Sequence, residues 1–317
     1  MNKIKLILSI AFLSLSSFLF SQTMNEAGEA FNKGIEATKA NDYVAAIKAY
    51  TECINICIKL GEEGKDMKMK AESQIPDAYF KIGIASYQTQ KFDEAVINFQ
   101  KSSEFAIKLN DKENSDKALN YIARVYTTKG SAQYKDEDYN NAIMSFDKAL
   151  QADGAYFKAY YSKGLVYNKQ DKAEEFRAAM DKVIELGPAD DKTVEAAKST
   201  VFKSFRADAG KALQAGSFNK SMEYIEIALN YGEGDAQILY FATIANNGLS
   251  NWQKAIDFGK RAVELETKDK SKVYFELGKA YEGIDNKSEA CSAYKKVTSG
   301  PNVAAAQYKV KNELKCN

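Results

Sequence analysis

Apolar positions return in a helical rhythm along most of the chain: a small residue, a bulky and usually aromatic residue four on, and a small or apolar residue three further. Ala46–Tyr50–Cys53, Ala95–Phe99–Ser102, Ala142–Phe146–Ala149, Ser221–Ile225–Ala228 and Ala290–Tyr294–Val297 show it, with looser Phe176–Met180–Val183 and Ala255–Gly259–Ala262. Twelve residues before the first small position a glycine often stands (Gly34, Gly83, Gly130, Gly164, Gly278), and an aromatic commonly stands three before it (Tyr43, Phe92, Tyr139, Phe218, Trp252). Spacings of three and four place each set on one helix face. No stretch alternates apolar and polar residues as a half-buried strand would. The pattern predicts seven helix pairs, with first positions at 46, 95, 142, 176, 221, 255 and 290 and intervals of 49, 47, 34, 45, 34 and 35 residues. Charged, Ala-rich inserts around 60–75, 105–118 and 189–200 fill the long intervals and are expected to extend helices. Pro76, Pro188 and Pro301 fall at predicted helix edges, where a missing N–H is tolerated. Residues 302–315, with Val303, Ala306, Val310 and Leu314, predict a final capping helix.

These residues carry a resemblance. Segments 78–102 (AYFKIGIASYQTQKFDEAVINFQKS) and 273–297 (VYFELGKAYEGIDNKSEACSAYKKV) resemble the tetratricopeptide repeat, a unit of 34 residues folded as helix, turn and helix, and the likeness runs over about residues 27–300. It implies an all-α fold: an α-solenoid superhelix of stacked antiparallel helix pairs, in which small residues let backbones approach and aromatics fill the gaps between pairs. Two departures stand out. Phe176 replaces the small residue of the fourth unit, so that pair is expected to splay or shift. The sixth unit has Gly259 where an aromatic is usual and Thr243 where glycine is usual. A hinge at 189–200, after Pro188, is expected to divide the array into repeats at 22–188 and repeats plus cap at 189–317.

Residues 1–21 change the picture of where the chain works. Lys3 and Lys5 precede an apolar run from Leu6 to Leu13 and a Ser-rich segment ending at Ser21, the layout of a secretory signal peptide. Export to the periplasm or the cell exterior is expected, with no membrane-spanning segment in the mature chain. The whole chain of 317 residues has 44 basic against 43 acidic residues, and loss of Lys3 and Lys5 leaves 42 against 43, a mature charge of −1. No bulk field therefore favours nucleic acid.

Histidine is absent. That removes His-based triads and general bases and nearly every zinc enzyme site, and no cofactor is expected. Gly61–Gly64 and Gly232–Gly234 lack the Lys-Ser/Thr ending of a phosphate loop. Glu62, Glu63, Glu174 and Glu175 read as surface acids, since paired catalytic carboxylates need a shared cleft. No enzyme is expected. Cys53 occupies a small interior position and reads as a packed thiol. A Cys53–Cys57 disulfide would need unusual geometry within one helix turn. Export permits disulfides, and Cys291 with Cys316 is the more attractive pair because the cap should fold back near the last unit.

The resemblance also implies a concave face lined by the first helix of each pair. Carried over, it contains Phe80, Ile84, Tyr87, Arg124, Tyr134, Lys158, Tyr161, Leu165, Asn168, Lys203, Arg206, Tyr240, Ile244, Asn247, Lys272 and Phe275. Tyr87, Arg124, Tyr134, Lys158, Tyr161, Asn168, Lys203, Arg206 and Tyr240 are the partner-binding candidates, and aromatics interleaved with cations suit an extended protein or peptide segment. The Lys and Asn positions of a carboxylate clamp do not line up. The expected function is a non-enzymatic interaction scaffold or assembly factor of the cell envelope. The alternative is a module that binds glycan or cell wall through the same aromatics.

Overall fold

In the computed structural model, which describes residues 24–316, the described residues form helices and no strand. Helix α1 covers 24–39. It is followed by α2 (Tyr43–Leu60), α3 (Lys65–Glu72), α4 (Ile75–Gln88), α5 (Phe92–Lys108), α6 (Lys112–Lys135), α7 (Tyr139–Ala152), α8 (Phe157–Lys169), α9 (Ala173–Leu186) and α10 (Lys192–Gln214). Then come α11 (Phe218–Leu229), α12 (Ala236–Gly248), α13 (Trp252–Leu265), α14 (Ser271–Gly283), α15 (Lys287–Lys295) and α16 (Val303–Tyr308). The signal-peptide reading concerns residues 1–21, outside the described residues. The chain divides within α9 into two compact units, one ending at Ala179 and one starting at Met180.

The repeat pattern has a steric basis. In the first unit the rings of Tyr50, Phe99 and Phe146 lie against Gly34, Gly83 and Gly130, where an added Cβ would come within 2.5, 2.7 and 2.6 Å of a ring carbon. In the second unit Tyr294 lies against Gly278 in the same way, at 2.5 Å. Each ring fills a notch that only a missing side chain leaves open. The sixth pair swaps the two halves of this contact. Thr243 is buried on the first helix, and Gly259 faces it from the second, its would-be Cβ 3.3 Å from Thr243 Cγ2 and 2.6 Å from Leu277 Cδ2. The fourth-unit trio Phe176, Met180 and Val183 is buried.

Within each unit, successive helices pack in chain order: α4 on α5, α5 on α6 and α6 on α7 in the first, α10 on α11 and α12 on α13 in the second. Buried hydroxyls pin some of these seams. Ser102 donates to the Pro76 carbonyl (2.8 Å), and Ser221 donates to the Ala209 carbonyl (3.1 Å). The two helices of a pair are joined by one recurring three-residue turn. Its middle residue is left-handed, with φ of 60° at Asn41 and Gln90, 61° at Glu137, 56° at Asp171, 70° at Gly216 and 57° at Ser250 and Asp285. The third residue donates its N–H five residues back, as Lys91 does to Ser86 (2.9 Å) and Asn251 to Asn246 (2.8 Å), which satisfies an open carbonyl at the helix end. The same joint, with Asn110 at φ 57°, links α5 to α6.

The inserts resolve differently. Residues 112–118 and 192–200 extend α6 and α10, as expected. Residues 60–75 do not extend a helix: a 3-10 turn at Gly61–Gly64 breaks the chain, and α3 is a separate short helix. The cause is local. Gly61 has φ 63°, and Gly64 sits so close to the Cys57 carbonyl that a Cβ would approach its oxygen to 2.5 Å. The expected cap over 302–315 is also shorter in its α part, with α16 ending at Tyr308 and a π turn continuing over Lys309–Glu313.

Candidate functional site

In the first unit, α4 and α6 present a wall of aromatic rings topped by cations. Tyr121 meets Phe80 edge-on, with ring centres 4.9 Å apart, and Phe99 at 5.3 Å. The Lys117 ammonium lies 4.4 Å from the Phe80 ring centre and the Arg124 guanidinium 4.7 Å from that of Tyr121. Such contacts hold a cation at the surface over an apolar base. Arg124 is exposed and stands by the Tyr156 hydroxyl, whose pKa burial raises while Arg124 opposes the rise. Half-buried Tyr87 shares a hydrogen bond with Thr128 Oγ1 (2.9 Å), tying α4 to α6. Tyr134 tilts against Tyr139 at 5.8 Å. On α8, Lys158 is exposed with its ammonium 5.8 Å from the Phe157 ring centre, and Tyr161 and Asn168 are half-buried. Phe80, by contrast, is core.

In the second unit Lys203 is exposed on α10. Arg206, three residues on, is engaged by an ion pair with Asp235, the residue that caps the N-terminus of α12. Its charge therefore joins α10 to α12. Tyr240 carries the Lys272 ammonium 5.2 Å from its ring centre, and burial, with Glu276 nearby, raises its pKa.

A cavity of about 640 Å³ opens beyond Tyr240. Helix α12 supplies Ile244 and Asn247, α14 supplies Phe275, Lys279 and Glu282, α15 supplies Tyr294, and Lys309 enters from the turn after α16. Phe218 and Trp252 form its aromatic rim. They lie flat on Gly248 and Gly283, where a Cβ would approach their rings to 2.4 and 2.2 Å. Two ion pairs border it: Lys279 with Glu276 (2.8 Å) and Lys309 with Glu282 (3.0 Å), the latter lysine also meeting Glu313 (2.5 Å). Asn247 donates through Nδ2 to both the main-chain carbonyl (2.9 Å) and the carboxylate (2.8 Å) of Glu276, which fixes the direction of its amide. Burial drives the Tyr294 phenol pKa upward, and the charge of Glu282 adds to the rise.

The family profile of the tetratricopeptide repeat matches residues 127–191 and again residues 271–299. The chain is a tetratricopeptide repeat protein. No curated protein matches it. Similar solved structures include YrrB, described as a TPR protein with an unusual peptide-binding site (17% identity, 60% of this chain and 92% of that one, TM-score 0.37). The TPR domain of P58(IPK) has 13% identity over 91% of this chain and 98% of its own, with a TM-score of 0.34. A tetratricopeptide repeat protein of Parabacteroides merdae has 15% identity over 92% and 100%, with a TM-score of 0.31.

The tetratricopeptide register placed Ile244, Asn247 and Phe275 on the inner face, and they line the cavity. It passed over Lys279 and Glu282, although they continue the face of Phe275 at four and seven residues on. Tyr294 was absorbed by its packing role, and Lys309 lies in the cap, beyond the repeat pattern.

The cysteines separate into two kinds. Cys291 and Cys316 form a disulfide with Cα atoms 5.7 Å apart, which ties the cap to α15. Cys53 and Cys57 are buried free thiols with sulfurs 3.9 Å apart, and burial, with Cys57 beside it, pushes the Cys53 pKa up to about 12. At pH 8 only roughly one Cys53 in ten thousand is then thiolate, the reactive form. A thiol reagent such as Ellman's is expected to leave Cys53 unmodified in the folded chain at pH 8 and to react once denaturant is added. Prompt labelling of Cys53 without denaturant would contradict the buried placement.

Proposed function

We propose that this tetratricopeptide repeat protein is an exported, non-catalytic scaffold or assembly factor of the cell envelope that binds a segment of another protein along its first-helix faces. The observation that carries the reading is the α4–α6 wall, where Arg124 and Lys117 sit over Tyr121 and Phe80. The fixed cations give an extended segment charge-assisted hydrogen bonds, half-buried Tyr121 gives it an apolar edge, and buried Phe80 supports the wall from within. The arrangement of residues 1–21 and the Cys291–Cys316 disulfide support an oxidising compartment. Ring geometry favours a peptide over a glycan. Sugar platforms call for coplanar exposed rings, whereas Phe80–Tyr121, Tyr87–Phe92 and Tyr134–Tyr139 are inclined at 81°, 46° and 46°.

A photo-crosslinking residue at Tyr161, on first helix α8, is expected to capture a protein from the organism's own envelope. The same residue at Met144, which is 57% exposed on second helix α7, is expected to capture none. Capture from Met144 alone, or of glycan from Tyr161, would move the site or change the ligand class.

A further inference from the structure

Three buried polar atoms of the second unit, Asn247 Oδ1, Glu282 Oε1 and Tyr294 Oη, line the 640 Å³ cavity without a well-formed hydrogen bond among the described residues, the Tyr294 hydroxyl and the Glu282 carboxylate facing each other and Asn247 Oδ1 facing no donor. Asn247 is 5% exposed and Tyr294 1%. Burying a polar group without a partner is costly, so three in one cavity call for something to bond them. Their chemistry is one-sided. An amide oxygen and a carboxylate oxygen only accept, and a phenol does either. Both lysines at the cavity already face carboxylates, so neither offers a free charge to an anion. Glu276, Glu282 and Glu313 stand against Lys279 and Lys309, three negative groups to two positive. The rim rings of Phe218 and Trp252, with Phe275 inside, add the faces that attract a cation.

We propose that this cavity is a pocket for a cationic side chain, arginine or lysine, presented by a partner segment. The proposal rests on the reading that the chain binds protein. Glu282 Oε1 and Asn247 Oδ1 accept the N–H donors of the guanidinium or ammonium, the Tyr294 hydroxyl adds a third oxygen, and the aromatic rim covers the aliphatic stem. The volume exceeds that of one side chain and admits part of the flanking main chain as well. The site differs in kind from the α4–α6 wall, which offers cations to its ligand.

The test is calorimetric titration of the chain from Gln22 with the capped peptide Ala-Arg-Ala, its Ala-Lys-Ala counterpart and the neutral citrulline analogue. The arginine or lysine peptide is expected to bind, and citrulline at least tenfold more weakly. Glu282→Gln should weaken the cationic peptide at least tenfold by removing the charge at constant shape. Because that variant also loosens Lys309, Tyr294→Phe is the companion: it removes a hydroxyl that makes no well-formed hydrogen bond and leaves both lysine ion pairs in place, so it should weaken the peptide several-fold with the thermal midpoint little changed. Equal binding of citrulline and arginine, unchanged affinity in both variants, or no binding to the unaltered chain would each overturn the proposal. Binding of maltotriose in place of the peptides would overturn it in favour of a sugar site. The crosslinking experiment at Tyr161 has its own outcome. A captured partner with no peptide binding removes this pocket alone, whereas peptide binding with no captured partner removes the scaffold reading.

Discussion

Phe99→Ala is expected to lower the unfolding free energy of the first unit by about 3–5 kcal/mol, the range for truncating a fully buried phenylalanine. Phe99 is 0% exposed and lies between Phe80, Tyr121 and the bare backbone at Gly83. Its loss empties a notch walled by helices that cannot close without moving their neighbours. The partner change, Gly83→Ala, should cost about 1–3 kcal/mol in the unaltered chain, because its Cβ would come 2.7 Å from the ring. Combined, the two should cost at least about 1 kcal/mol less than their sum, since the new methyl enters the space the ring leaves. Denaturant unfolding of the four proteins measures the coupling. Strict additivity would mean that ring and glycine do not share one contact.

Replacing Cys291 and Cys316 by serine is expected to cost about 3 kcal/mol, from the chain entropy regained when a loop of this size is opened. The bond spans 25 residues and holds α16 and the following turn on α15. The loss should appear as faster hydrogen exchange in α14, α15 and the cap, with α4–α7 unchanged, because in a repeat array each unit contacts only its neighbours. The variant should also bind the cationic peptide more weakly, as Lys309 enters the cavity from the released segment. Identical exchange in oxidised and serine proteins would show that α16 docks without the bond.

How far the sequence could be read follows from which contacts repeat. Ala95, Phe99 and Gly83 recur at fixed intervals in other pairs, so their joint burial was legible from spacing alone. The sixth pair looked defective, with Thr243 and Gly259 in the wrong places. Its contact is filled from elsewhere: Leu277 of the next pair, with Thr243, closes on the bare backbone at Gly259, and a pattern read within one pair does not register a neighbour from the next. The break at Gly61–Gly64 was missed because a charged, Ala-rich composition suits one long helix as well as two short ones. The cavity was half legible. Asn247 and Phe275 follow from the repeat register, whereas Lys309 reaches the cavity only because the chain turns back after α15. Arg206 illustrates the opposite limit: its position fits an inner face, but its charge is matched by Asp235, 29 residues away, which no local pattern discloses.

The left-handed joints bear on how this protein tolerates change. Of the eight, only Gly216 has the residue that adopts such a backbone freely. The other seven keep a side chain there, and Gln90, Glu137 and Ser250 lack even the short amide or carboxylate that eases it. Exchange of Gln90, Glu137 or Ser250 for glycine would return roughly 0.5–1 kcal/mol after its own entropy cost, and exchange of the Asn and Asp joints less. Asn41, Gln90, Asn110, Glu137 and Asp171 lie at turns of the first unit, outside the cavity lining. They form a reserve on which evolution, or a designer, can draw: a lineage that relaxes a few joints can afford destabilising substitutions along its binding faces and so explore new ligands without losing the fold.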